Sequence, residues 1–220
     1  MTIASPRPLL LGHRGAGAAK VIPENTLASF DQALADGCDG FEFDVRLTED
    51  GESVLSHDPR FGKFKIERTI ARDLPSLPRL RDVLKRYQDK GFLDIEVKVK
   101  GVERTIADLF LRHKPRRGCV VSSFLPGALK AVHAQDATIP LGLICETPTQ
   151  LRLWSELPVA YVIPQHELVD PDLVRKVKGA GKKIMVWTVN DESEMRRLAE
   201  LGVDGIISDE TGLLSRTLKA

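Results

Sequence analysis

A chain of 220 residues, 42% hydrophobic and 29% charged, falls within the size and composition range of a single globular domain. Its 32 Lys and Arg balance 31 Asp and Glu to a formal charge of +1, which excludes the overall basic excess that drives adhesion to nucleic acid or to anionic membrane. Three widely spaced cysteines, Cys38, Cys119 and Cys145, suit neither a disulfide framework nor a thiolate metal site and are expected as reduced packing residues.

Residues 1–8 lack the charged, apolar and small-residue regions of a secretory signal, and no apolar run approaches the roughly 20 residues that span a bilayer. The expected compartment is the cytoplasm, with no integral membrane segment. From residue 9 onward, β-rich runs alternate with helical periodicity. A strand over 9–13 precedes a helix over 26–35, for which Asn25, ahead of Thr26, serves as start signal. The second strand, 41–45, is followed by a turn on Asp50-Gly51 into a short strand over 53–56, which reads as a hairpin insertion. Residues 58–77, basic, proline-containing and weakly periodic, read as an active-site loop ahead of a helix over 80–88. Six further pairs follow: strands over 93–97, 119–122, 141–145, 160–163, 184–189 and 205–207, with helices over 103–112, 127–134, 149–157, 171–178, 192–201 and 213–218. Asp170-Pro171 and Asn190-Asp191 mark helix starts, and Gly37, Gly91, Gly181 and Gly202 mark stops. Eight equal units of strand and crossover helix favour closure into one (β/α)8 barrel over residues 1–220, although the count alone leaves an open doubly wound sheet standing.

Chemistry concentrates at the ends of these strands. Residues two apart on a strand share a side, so Glu42 and Asp44 project together while Phe41, Phe43 and Val45 face the helices. Glu96 and Lys98 share a side in the same way, opposite Ile95 and Val97. Three inward acids with one base need neutralising, because burying an unpaired charge costs several kcal/mol or more. Either a hard divalent cation with oxygen ligands does this, or Lys98 satisfies the acids in a structural ion-pair network. His13-Arg14-Gly15 ends the first strand, and Gly15-Ala16-Gly17 lets the backbone turn sharply. Arg14 can meet a phosphate bidentately there, with Lys98 as a second positive charge. His57 follows the hairpin strand, so two histidines, a residue type suited to proton transfer near neutral pH, can face one site. Taken singly, each is as well explained as a structural strand-end histidine. His166, after the sixth strand, can also line the mouth.

The pieces Gly12-His13-Arg14-Gly15, Pro23-Glu24-Asn25-Thr26, Phe41-Glu42-Phe43-Asp44-Val45, Asp50-Gly51, His57-Asp58, Ile95-Glu96-Val97-Lys98, Ser122-Ser123-Phe124, Trp187-Thr188-Val189-Asn190 and the run 202–209 stand in an order that resembles the glycerophosphodiester phosphodiesterase family across nearly the whole chain. The resemblance implies a TIM barrel in which Glu42, Asp44 and Glu96 ligate Mg²⁺ or Ca²⁺, Arg14 and Lys98 bind the phosphate, and His13 and His57 act as general acid and base. It implies a small-molecule glycerophosphodiester substrate and, as products, sn-glycerol 3-phosphate and an alcohol. Glu24 belongs to the same signature, as a cap of the first helix, a partner of Arg14 or a neighbour of the metal, and Trp187 packs either against the substrate's glycerol or alcohol or within the barrel core. Two departures stand out: the loop after His57-Asp58 is short and keeps only Glu67-Arg68-Thr69 of the family pattern, and Ser208-Asp209 replaces the usual Thr-Asp. Two other readings use the same site. A lysophospholipase D-type lipid phosphodiesterase needs an apolar lip, which the basic 58–77 loop does not offer clearly, and a non-catalytic phosphate-binding barrel would lack some of the ligands or histidines, all of which are present.

Overall fold

Runs whose two faces are both covered become parallel strands, and the computed structural model, which describes residues 7–16 and 22–219, joins eight of them edge to edge. The strands are β1 Leu9–Gly12, β2 Gly40–Leu47, β3 Ser53–Leu55, β4 Arg60–Phe61, β5 Phe64–Lys65, β6 Phe92–Val97, β7 Cys119–Ser123, β8 Leu141–Cys145, β9 Tyr161–Pro164, β10 Lys183–Val186 and β11 Gly205–Ser208. Because β1 pairs with both β2 and β11, the parallel set β1-β2-β6-β7-β8-β9-β10-β11 closes on itself. Closure decides for the barrel against the open sheet. Helices α1 Leu27–Ala35, α2 Leu80–Tyr87, α3 Glu103–Arg112, α4 Pro126–Gln135, α5 Pro148–Leu151, α6 Pro171–Gly179, α7 Glu192–Glu200 and α8 Thr211–Lys219 form the outer layer.

The expected hairpin after β2 is present, with β3 antiparallel to β2 and Val45 opposite Leu55. Three local readings are corrected. The stretch 58–77 is not a plain loop: it holds a second hairpin, β4–β5, and two 3-10 turns, a short pairing that a period test over so few residues misses. The fifth helix is a single α turn continued as a 3-10 segment, Arg152–Glu156. The cap of α1 is Thr26, whose hydroxyl accepts from the Ser29 amide in a reciprocal capping box, so Asn25 is free for another task. Gly17 and residues 1–6 lie outside the described residues.

Packing sets the heights at which the site residues stand. Phe41 and Phe43 face outward, and Phe41 stacks on Phe30 of α1 at 4.2 Å while meeting Tyr87 of α2 edge-on at 5.0 Å. Such aromatic pairs contribute about 0.5–1.5 kcal/mol each beyond the area they bury, and they clamp β2 between two helices. Register between β2 and β6 places Glu42 beside Asp94 and Asp44 beside Glu96. At Gly40 a Cβ would lie 1.9 Å from the Phe92 carbonyl oxygen, so only glycine allows this approach. Leu11, Phe92, Val120, Ile144, Tyr161, Ile163, Met185 and Ile207 fill the barrel interior as an apolar plug. The three cysteines are buried and unpaired, and burial pushes each thiol up to about 12. No described helix is long and apolar enough to cross a membrane.

Candidate active site

Inward-facing residues at the C-terminal ends of the strands surround a cleft of about 290 Å³, lined by the charged and titratable groups of His13, Arg14, Glu42, His57, Glu96, Lys98 and Glu146 together with Phe124 and Trp187, and Lys98 Nζ lies over the Phe124 ring at 5.8 Å from its centroid. One carboxylate oxygen each from Glu42, Asp44 and Glu96 lies within 4.8 Å of the others, and all three residues are buried. β2 and β6 are hydrogen-bonded neighbours, so period-two alternation on both brings these acids together.

The cluster is only partly neutralised by the chain itself. Lys98 Nζ donates to Glu96 Oε1 at 2.7 Å and lies 3.2 Å from Asp44 Oδ1, near enough for charge pairing but off the line of a hydrogen bond. Arg14 Nε lies 3.5 Å from Asp44 Oδ2, again without a hydrogen bond. Glu42 Oε1 and Asp44 Oδ1 are therefore buried acceptors without donors, which fits a set of oxygens shaped for a divalent cation. Lys98 does not satisfy the acids alone. Burial and the neighbouring carboxylates hold the Glu42 carboxyl well above its ordinary range, and the same causes raise Glu96. Burial opposes the charge of Asp44 too, but Lys98, the Asn25 amide and Arg14 outweigh it and pull that carboxyl below its usual value.

The β1–α1 turn presents Arg14 in a strained backbone. Arg14 has φ 53 and Gly15 φ 84, and a Cβ on Gly15 would fall 2.4 Å from Ser29 Oγ. The Arg14 amide donates to Glu42 Oε2 at 2.9 Å, and its guanidinium meets both Glu24 oxygens at 3.0 and 3.1 Å. Of the three roles open to Glu24, pairing with Arg14 is the one observed.

Each histidine has an acid on one ring nitrogen. His13 Nδ1 lies 2.7 Å from Asp209 Oδ1, and Asp209 Oδ2 accepts from the Asn190 amide at 2.8 Å. With Nδ1 so engaged, His13 Nε2 is left near Glu42, at 3.9 Å. His57 Nδ1 lies 2.9 Å from Asp58 Oδ1, and Arg46 donates to the His57 carbonyl from Nε and Nη2 at 2.9 and 2.6 Å. Trp187 donates from Nε1 to the Ile163 carbonyl and packs edge-on against Phe124 at 5.6 Å. It therefore lines the cleft while anchored to the barrel wall. His166 is not among the lining residues and faces Glu194 at 3.4 Å.

Four contributors escaped the sequence reading. Asn25, buried at φ 56, donates to Asp44 Oδ2 at 2.8 Å and accepts from the Asp44 amide at 3.0 Å. Asp94 sits inward below Glu96, with Oδ1 accepting from Ser122 and Oδ2 unpartnered, and burial with nearby acids pushes it up to about 7. Its place two residues before Glu96 was a usable signal. Asp209 was visible only as part of a motif, and Glu146 carried no signal.

A sequence profile of the Glycerophosphoryl diester phosphodiesterase family matches residues 13–86 and 74–213. A glycerophosphodiester phosphodiesterase of Caldanaerobacter subterraneus subsp. tengcongensis is 30% identical over 93% of this chain and 95% of its own. Among solved structures, an Oleispira antarctica phosphodiesterase in complex with the product sn-glycerol-3-phosphate is similar at TM-score 0.83 and 26% identity, covering 97% of this chain and 98% of that one. A glycerophosphodiester phosphodiesterase of Parabacteroides distasonis matches at TM-score 0.84 and 25% identity, covering 97% of each chain.

Proposed function

Because the chain belongs to the glycerophosphoryl diester phosphodiesterase family and is an enzyme of that class, we propose that it hydrolyses glycerophosphodiesters to sn-glycerol 3-phosphate and a free alcohol in the cleft above β2 and β6. The observation that carries this reading is the meeting of three clustered carboxylates with Arg14, Lys98 and a carboxylate-oriented His13 in one cleft. Glu42, Asp44 and Glu96 would hold Mg²⁺ or Ca²⁺, and their all-oxygen donor set with two undonated buried oxygens supports a hard cation. When bound, such an ion supplies Lewis acidity toward a phosphoryl oxygen.

The remaining steps belong to the chain's own groups. Arg14 grips the phosphate by exchanging its exposed partner Glu24 for phosphoryl oxygens, and Lys98 contributes a second positive charge from the end of β6. With Nδ1 tied to Asp209, His13 moves the proton at Nε2, and Asp209 stabilises the imidazolium when it forms. His57 is the second proton-transfer group, on a backbone anchored by Arg46. Phe124 and Trp187 form the apolar wall against which the glycerol or alcohol portion packs.

Purified protein stripped with a chelator and offered a panel of glycerophosphodiesters, with Mg²⁺, Ca²⁺ or Mn²⁺ returned in turn, tests the reading. Release of glycerol 3-phosphate that depends on the added ion is expected. No release with any ion would refute it.

A further inference from the structure

Large apolar side chains are exposed at only four positions among the described residues: Phe61 at 40%, Phe64 at 36%, Leu125 at 38% and Leu111 at 83%. Three of the four lie in strand-to-helix connections at the catalytic end of the barrel. Phe61 and Phe64 face each other across the β4–β5 hairpin, and Leu125 follows β7 beside the cleft residue Phe124. The hairpin turns on Gly62, at φ 56, with Lys63 over the Phe64 ring at 5.4 Å from its centroid. Residues 60–65 contain three cations, Arg60, Lys63 and Lys65, and no acid, although Lys65 is paired with Glu67 at 2.6 Å. Phe61 also lines a groove of about 410 Å³ together with Glu24, Asn25 and Asp58, so the hairpin borders the rim that carries Arg14 and His57.

Two phenyl rings at the tip of a two-stranded ribbon present far less surface than the roughly 800 Å² per partner of a specific protein interface. Exposed rings with Lys63 over one of them and Arg60 beside them in the same hairpin suit a different surface, one where apolar groups enter at headgroup depth and cations meet lipid phosphates. The whole chain is nearly neutral at +1, so any such attraction is local to this rim. We propose that the 60–65 hairpin, with Leu125, docks the catalytic rim onto an anionic phospholipid surface.

Co-sedimentation of the full chain at low ionic strength with vesicles of phosphatidylcholine, alone or mixed with phosphatidylglycerol, tests this. Wild type is expected to pellet with the mixed vesicles and far less with phosphatidylcholine alone. Each partly exposed ring accounts for about tenfold or more in partitioning, so Phe61→Ser with Phe64→Ser should weaken binding by about a hundredfold. Lys63→Glu should weaken it less, and Leu111→Ser, far from the rim, should leave it unchanged. Circular dichroism of each variant verifies folding. A wild type that stays in the supernatant, a double variant that binds as well as wild type, or an equal loss in Leu111→Ser would overturn the proposal. Binding is read from the pellet, so absence of hydrolysis would count against the proposed reaction and not against docking.

Discussion

Asp94→Asn removes a charge that the fold holds at a cost while keeping the side chain's shape. Asp94 is 1% exposed, its Oδ2 has no partner, and only Ser122 donates to it. Burial, with Glu96 and Asp44 nearby, pushes this carboxyl from 3.8 up to about 7. Between those values the folded chain binds a proton that the unfolded chain has released, so wild-type stability falls as pH rises through this window and levels off above it. At about 1.4 kcal/mol per pH unit, the full rise corresponds to about 4 kcal/mol. The variant lacks this dependence and can still accept from Ser122 through its amide oxygen. Urea denaturation of both proteins in chelator should show the variant's advantage growing by about 4 kcal/mol from about pH 4 to about pH 8. Chelator matters because a bound cation would neutralise the cluster by another route. A stability difference that stays constant or shrinks with rising pH would refute the reasoning.

Asn25→Ala strips Asp44 of two buried hydrogen bonds and puts a Cβ residue without a polar side chain at φ 56, so a loss of about 3–5 kcal/mol is expected in denaturant titration. Asn25→Gly should recover about 1 kcal/mol of it, the backbone share. Asp209→Asn should lower kcat by about a hundredfold or more with little change in KM and an altered pH profile, since it reverses the hydrogen-bond demand on His13 Nδ1; an unchanged profile would speak against the assignment of Nε2. Gly40→Ala drives a Cβ into the Phe92 carbonyl and should cost about 3 kcal/mol or more, read as a loss of soluble yield and of melting temperature.

What the amino-acid sequence determined by itself is whatever depends on local geometry. Alternation along a strand is a property of the extended backbone, so Phe41, Phe43 and Val45 were bound to face away from Glu42 and Asp44 wherever the strand lay, and Glu96 and Lys98 were bound to share a side. Helix starts at Asp170 and Asp191 followed from side chains that cap their own first turns. The alternation along β6 likewise turns Asp94 to the side of Glu96, two residues on. Tertiary structure alone decided what depends on the path of the chain between distant residues. Asp209 reaches His13 across 196 positions only because β11 closes against β1, and Asn25 meets Asp44 only because the residues just ahead of α1 lie against β2. The burial that raises Glu42 while Asp44 is lowered depends on which donors arrive from neighbouring strands and turns, and that arrangement exists only once the barrel has closed.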